Sequence, residues 1–375
     1  MSTRIFLIGG SSGGHAFPLA AVAKELQKES ESQNQNIELI LMGDNKGYLT
    51  EVSRQYKIPF LRVLSGKLRS YRGIKIILDL IKLPLGFLQS VFYMWLYMPD
   101  IVFSKGAYDA VPPLLAARLF FIPVVIHESD SIPGQVNTWS AKFAKKIFVS
   151  FEEAYGYFPA KRTELVGNPV RKDLLEGDKE RSMKSFGLNN SKPIILFMGG
   201  SQGASAINKI VLLSLVKMSY KYQIIHQCGQ DKAKEVQEQV DFMLKEGENT
   251  YAPSVRSNYR LYPYFNADQM KLAYAASDIV VSRAGAGSLF EIALLGKPAI
   301  IVPIKNSPSN HQLKNAMEIS KFGATIIEEH NLTTNLLINA VDNVLSKKEE
   351  LASRIKAFAK PEAAKIIAQK LLAMA

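Results

Sequence analysis

The segment Gly9-Gly10-Ser11-Ser12-Gly13-Gly14-His15 joins an apolar run, Ile5 to Ile8, to a helix-like run, Ala16 to Leu26. A glycine-rich turn after a strand lets a ligand approach the backbone N–H groups. The helix behind it adds the partial positive charge of its N-terminus, so the turn suits an anion or a sugar. Neither needs an imidazole, and His15 therefore points to a proton that moves. Two familiar glycine motifs fail on spacing. A dinucleotide fingerprint ending at Gly10 and Gly13 requires glycine where Ile8 stands, and the phosphate-loop pattern fits Gly9 and Gly14 but has His15 in place of its lysine. A tight strand-to-helix turn with no ligand is the competing reading.

Three further segments carry chemistry. Gly199-Gly200-Ser201-Gln202-Gly203-Ala204 follows the apolar run Pro193 to Met198 and precedes Ile207 to Val216, which sets its N–H groups to meet a phosphate or to make a plain turn. Ser282 to Glu291 repeats the arrangement and adds a carboxylate. Glu291 lies about one turn inside a helix starting near Gly287, where it could accept both hydroxyls of a ribose or simply sit favourably near the helix N-terminus. Pro303 to Asn315 is a polar loop entering a helix with His311 and Gln312 at its start, which alone reads as a capped helix. His127-Glu128 ends an apolar strand, the usual place for a ligand contact in an open sheet. His226 and His330 read as structural. The chain has no Asp-x-Asp pair and no His/Cys cluster at zinc spacing, so no metal and no cofactor are expected. A bound diphosphate would then be neutralised by helix N-termini and a basic side chain such as Arg171.

Short apolar runs alternating with helical patterns must position these residues. The strand expectations are Arg4 to Ile8, Ile37 to Met42, Ile101 to Phe103, Pro123 to His127 and Lys146 to Val149 in the first half. In the second they are Pro193 to Met198, Tyr222 to Cys228, Ile279 to Ser282 and Ala299 to Pro303. The alternation argues for an α/β chain with two parallel sheets covered by helices, each with a glycine turn after its first strand. The 375 residues and 47% hydrophobic content suit two domains. The link is expected near 160–170, where Pro159, Gly167 and Pro169 punctuate the chain. The division is 1–163 and 164–349, with the helical segment 350–375 crossing back to the first domain.

One cysteine, Cys228, rules out an internal disulfide framework and fits a reducing compartment. Only four apolar residues separate Arg4 from the first glycines, far short of a signal-peptide core, so a cytoplasmic location is expected. The net charge of +12 calls for an anionic partner. Between Asn45 and Leu83 the net charge is +7, and the apolar stretch Ile76 to Met98 follows directly. Asp79, Lys82 and Gln89 interrupt that stretch, and Pro84 and Gly86 are expected to break or kink it into two pieces, which argues against a membrane span. Basic residues beside Leu, Phe and Trp are what an interfacial helix on anionic lipid needs. Helices buried on a sheet explain the same pattern, and both hold if one face is in the core and the other meets lipid. Nucleic acid is disfavoured, since the basic stretch adjoins an apolar helix and lacks a base-stacking platform.

Taken in order, six motifs resemble the bacterial MurG family of glycosyltransferases. They are Gly10-Ser-Ser-Gly-Gly-His-Ala-Phe-Pro18; His127-Glu128 with Gly134 and Asn137; Gly167-Asn-Pro-Val-Arg171; Gly199-Gly-Ser-Gln-Gly-Ala204; Arg283-Ala-Gly-Ala286 with Glu291-Ile292; and His311-Gln312 with Asn315-Ala316. The resemblance spans nearly the whole chain. It implies two facing Rossmann-like domains of the GT-B type with a cleft between them, closing about the link. The implied reaction is an inverting transfer of N-acetylglucosamine from UDP-N-acetylglucosamine to undecaprenyl-diphosphate-linked N-acetylmuramyl-pentapeptide, at the cytoplasmic face of the cell membrane.

His15, whose neutral imidazole near its ordinary pKa of about 6.5 can take a proton, is read as the base or as a residue that only orients the acceptor diphosphate. Carried over residue by residue, Ser12, Gly13 and Gly14 are implied as the acceptor lining, with Asp130 also facing the acceptor. Arg171 and Ser201 are implied to meet the donor diphosphate, the backbone at Phe265 the uracil, and Gln312 the sugar hydroxyls. Ala286, Gly287, Ser288, Leu289, Phe290 and Glu291 are implied to hold the diphosphate and ribose. The stretch 67–98 is implied as the membrane patch. Ser11, Ala107, Asp109 and Asp130 depart from the family's usual residues, all on the acceptor side. Another UDP-sugar glycolipid transferase, an epimerase of the same fold, and a non-catalytic membrane-bound UDP-sugar-binding protein are the rival readings.

Overall fold

The computed structural model describes residues 2–44, 47–66, 74–200, 203–305 and 307–375, with side chains except at 74–81 and 308. The chain divides into two compact units, one formed by 1–171 with 360–375 and the other by 172–359. The boundary expected at 163/164 thus moves to 171/172, and the returning segment begins at 360 rather than 350. The stretch 160–170 is no free link, because it contains a strand, Thr163–Leu165.

The first unit holds a seven-stranded parallel sheet in the order β3-β2-β1-β4-β5-β6-β7. Its strands are β1 (Thr3–Ile8), β2 (Ile37–Gly43), β3 (Phe60–Arg62), β4 (Ile101–Ser104), β5 (Val124–Glu128), β6 (Lys146–Val149) and β7 (Thr163–Leu165). Side chains alternate across a strand. In β1, Ile5 and Leu7 face one core with the helices Gly13–Ser32 and Ala363–Met374, while Phe6 and Ile8 face the other. Burial on both faces explains why the central strands read as unbroken apolar runs.

The second unit has a six-stranded sheet in the order β10-β9-β8-β11-β12-β13, again all parallel. These strands are β8 (Ile194–Met198), β9 (Gln223–Gln227), β10 (Tyr259–Tyr262), β11 (Ile279–Ser282), β12 (Ala299–Ile301) and β13 (Thr325–Ile326).

In each sheet the chain order reverses between two adjacent strands, β1 and β4 in the first and β8 and β11 in the second. A crevice opens outside the carboxyl ends of strands at such a reversal, and ligands bind there. The loops that leave these four strands are 9–12, 105–107, 199–204 and 283–285, so topology puts each glycine turn beside a crevice of its own unit.

The apolar stretch forms one helix, Ile74–Tyr97, continuous through Pro84 and Gly86, which corrects the expectation of two pieces. Gly86 is a contact point rather than a break. A Cβ there would stand 1.8 Å from the carbonyl oxygen of Leu64, and the Leu64 N–H donates to Gln89 Oε1 at 2.9 Å. Tertiary packing against the segment after β3 holds the helix together where proline removes one of its hydrogen bonds. Its exposed residues include Leu85, Leu88, Phe92, Trp95 and Leu96, while Met94 and the partly buried Phe87 and Val91 join the core. Among the described residues no helix is long and apolar enough to cross a membrane.

Candidate active site

In the first unit Ser12 is the N-cap of the helix Gly13–Ser32, with no side-chain cap bond of its own. The opening N–H groups of a helix have no partner inside it, and Gly14 is exposed with open space where a Cβ would be. His15 is half-buried, and its Nδ1 lies 3.1 Å from the carbonyl oxygen of Lys105. A carbonyl only accepts, so the hydrogen is on Nδ1 and the neutral ring carries its lone pair on Nε2. Burial first, and then Lys105, lower the His15 pKa below its usual value, against the opposing pull of Asp130 and Asp109.

Behind His15 stands a buried polar cluster. Glu128 accepts from the Asp130 N–H at 2.9 Å, the Gly134 N–H at 3.0 Å and Asn137 Nδ2 at 2.9 Å. Its pKa is raised by burial and by Asp130 despite those three donors. His127 is fully buried, and its Nε2 donates to the Gly167 carbonyl at 2.9 Å. Its pKa lies well below the usual value because of burial and Lys105. His127 therefore backs the site rather than lining it.

Two of the residues that depart from the family's pattern meet each other: the Ser11 N–H donates to Asp109 Oδ2 at 3.3 Å, and Ser65 Oγ donates to the other carboxylate oxygen. Arg171 closes the first unit, with its guanidinium carbon 5.5 Å from the Phe17 ring centroid. The expectation had put Arg171 in the donor domain, and the structure corrects that.

In the second unit the turn after β8 is tight. A Cβ at Gly203, where φ is +73°, would lie 2.2 Å from the Cys228 carbonyl oxygen. Ser201, expected at the diphosphate, lies outside the described residues. After β11, the helix Ala286–Leu294 starts at Gly285 with no side-chain cap, and nothing lies within 4 Å of a Cβ built at Gly285 or Gly287. Ala286, Gly287 and Ser288 thus offer the helix's opening N–H groups to an open space.

Leu289 and Phe290 do not share that role. Both side chains are buried, the Leu289 N–H is taken by the Gly285 carbonyl at 3.1 Å, and Phe290 stacks on Phe358 at 4.8 Å between centroids. Glu291 is half-buried and accepts from the Tyr274 hydroxyl at 2.9 Å, which orients its carboxylate. The Phe265 ring is buried against Tyr262, 5.0 Å between centroids, so only its backbone can meet a base. Gln312 turns its Oε1 to the Ile304 N–H at 3.1 Å. Asn315 Nδ2 donates to the Ala284 carbonyl at 3.1 Å and fixes the β11 loop. His226 is a core residue between the Tyr259 hydroxyl at 2.8 Å and Asn208 Oδ1 at 3.0 Å. Among the described residues no three His, Cys, Asp or Glu side chains cluster as a metal site.

Residues 5–149 match the glycosyltransferase family 28 N-terminal domain, and residues 194–370 match the family's C-terminal domain. A protein of Legionella pneumophila (strain Paris), the UDP-N-acetylglucosamine--N-acetylmuramyl-(pentapeptide) pyrophosphoryl-undecaprenol N-acetylglucosamine transferase, is 38% identical over 361 residues. The alignment spans 96% of this chain and 93% of that protein. The chain belongs to glycosyltransferase family 28. That near full-length relation sets it in the MurG branch of the family, and the two parallel-sheet α/β units are its GT-B fold.

The crystal structure of Acinetobacter baumannii MurG aligns with a TM-score of 0.72 at 24% identity over 99% of both chains. The UDP-GlcNAc 2-epimerase of Neisseria meningitidis, solved with UDP-GlcNAc bound, aligns with a TM-score of 0.70 at 15% identity over 99% of this chain and 100% of that one. These likenesses are of fold, which a transferase and an epimerase share.

Three residues of this family member take part in the sites without having been singled out as site residues from the sequence: Lys105, Asn168 and Tyr274. Lys105 had one usable signal, its place directly after an apolar strand and before Gly106. Asn168 stood inside the Gly167-Asn-Pro-Val-Arg171 motif without a role of its own, and Tyr274 had no signal, because its partner Glu291 lies on a different helix.

Proposed function

We propose that this chain transfers N-acetylglucosamine, with inversion, from UDP-N-acetylglucosamine to undecaprenyl-diphosphate-linked N-acetylmuramyl-pentapeptide, the lipid I to lipid II step of peptidoglycan synthesis. The observation that carries the reading is the 38% identity, over nearly the whole chain, to a transferase of that name.

In the transfer the acceptor hydroxyl loses its proton as it attacks the anomeric carbon, the bond from that carbon to UDP breaks, and the diphosphate gathers negative charge. His15 takes the proton on Nε2, the nitrogen left with a lone pair by the Lys105 carbonyl. Ser12, Gly13 and Gly14 receive the acceptor, with Asp130 beside them. The N–H groups of Ala286, Gly287 and Ser288 meet the leaving diphosphate, as oriented dipoles do where charge develops. Ser201 joins them on the donor side, Glu291 holds the ribose, the backbone at Phe265 the uracil, and Gln312 the sugar. Arg171, whose guanidinium carbon lies 5.5 Å from the Phe17 ring centroid, is assigned with Ser201 to the diphosphate.

The chain works as a peripheral protein at the cytoplasmic face of the membrane, through the exposed face of the helix Ile74–Tyr97 and the helix Val111–Leu119 that packs on it. Residues 67–73 of the expected patch lie outside the described residues.

The test is turnover of labelled donor with a lipid I analogue by purified protein. Wild-type protein is expected to form the disaccharide product. His15→Ala is expected to lose roughly 10²- to 10⁴-fold in kcat while its affinity for UDP holds. Full turnover by His15→Ala removes His15 as the base. Conversion of UDP-N-acetylglucosamine without acceptor points to an epimerase, and binding without turnover to a non-catalytic protein.

A further inference from the structure

Lys105 follows the last residue of β4 and is 1% exposed, a rare setting for a lysine. Its Nζ reaches His127 Nδ1, Ser129 Oγ at 2.6 Å and Asn168 Oδ1 at 3.2 Å. Three acceptors match the three N–H bonds of an ammonium, whereas a neutral amine has two. The His127 partner is a true acceptor, because its Nε2 hydrogen is committed to the Gly167 carbonyl. The main-chain carbonyl of the same lysine receives the His15 Nδ1 hydrogen. One residue thus touches both histidines of the first unit's site, His15 through its backbone and His127 through its side chain.

We propose that Lys105 is a positioning residue for the proton transfer: its carbonyl fixes which nitrogen of His15 carries the hydrogen, and its buried ammonium keeps that ring neutral and able to accept. The assignment rests on the reading of His15 as the base. The charges around it run both ways. Lys105 lowers the His15 pKa, while Asp130 and Asp109 raise it. Glu128 and Asp130 favour the Lys105 ammonium against burial, which lowers its pKa to about 7. His127 cannot share the charge, because burial and Lys105 hold it neutral.

Lys105→Met and Lys105→Gln keep the carbonyl and remove the charge, which separates the two parts of the proposal. Two measurements on the full chain test it. In the pH profile of kcat/KM, the acidic limb of either variant is expected to move up by roughly one pH unit. In nitrogen-15 histidine NMR of the protein without substrates, the His15 titration midpoint is expected to rise in the same sense while the hydrogen stays on Nδ1. Lys105→Gln, whose amide still donates to His127 Nδ1, carries the measurement if the methionine variant does not fold.

A loss of kcat/KM that is equal at every pH, with an unmoved acidic limb, marks Lys105 as merely structural and overturns the proposal. So does an unmoved His15 midpoint in a folded variant. If wild-type protein turns over no lipid-linked acceptor, the transferase reading falls, and the NMR midpoint of His15 still decides whether Lys105 governs its protonation.

Discussion

Ala107 has φ +71° and ψ 161°, a conformation almost reserved for glycine. It stands at the reversal between β1 and β4, and its methyl lies 2.7 Å from where a Cβ on Gly10 would be. The strain costs about 1–3 kcal/mol, partly offset by the smaller entropy that alanine loses on folding. Ala107→Gly is therefore expected to raise stability by about 1 kcal/mol, read as a higher urea midpoint at unchanged m-value. A lower midpoint would show that the methyl packing against Gly10 outweighs the backbone strain. His15 and the glycine turns were legible in the sequence because those residue types are informative at a strand end. Lys105 had only its place after an apolar strand to mark it, and in a chain with 46 lysines and arginines that does not single out a buried one.

At the scale of elements, the strands legible in the sequence are the interior ones. The four that escaped, Phe60–Arg62, Thr163–Leu165, Tyr259–Tyr262 and Thr325–Ile326, are the edges of the two sheets. An edge strand is short and paired on one side only, so it carries no apolar run for a reader to find. The helix Ile74–Tyr97 misled in the opposite direction: Pro84 breaks helices by local rules, and packing at Gly86 overrode them.

The exposed side chains of this helix, together with Phe121 just after the helix Val111–Leu119, carry a prediction. Leu88 is 61% exposed, Trp95 63% and Phe121 93%, and Phe121 shares a hollow with Arg118 and Lys145. Large exposed apolar side chains beside cations suit an anionic bilayer surface. The combined Leu88→Ala, Trp95→Ala and Phe121→Ala variant is expected to lose at least tenfold in affinity for vesicles containing anionic lipid, by co-sedimentation. Turnover of a water-soluble acceptor analogue should hold. Unchanged vesicle binding would assign the patch to another partner.

At the scale of the whole molecule, the buried bases give stability a direction in pH. His226 is lowered to about 3 by burial, and His15 and His127 are lowered as well. Between those values and the unfolded value near 6.5, the unfolded chain binds more protons, so stability falls as pH falls. Burial lowers Lys105 to about 7 and Lys297 to about 8, so stability also rises with pH from about 7 toward the unfolded lysine value. Glu128, raised by burial, acts in the opposite sense over its own window. Between about pH 5 and about pH 8 the three histidines and Lys105 act against Glu128, so the urea midpoint is expected to be lower at the acid end. A higher midpoint at the acid end would mean that carboxylates such as Glu128 dominate.

The first unit is written in two pieces, with the whole of the second unit between them. Ala364, Ile367, Ala368 and Leu371 from the last helix fill the same core as Ile5, Leu7, Ala16 and Leu19. On the ribosome, the opening 171 residues must wait with that apolar face bare while another complete unit is synthesised. The second unit, continuous in sequence, can fold first. Until the helix Ala363–Met374 is made, the first unit's core lacks the side chains that this helix contributes, a bare apolar face of the kind that makes partly folded chains prone to aggregate.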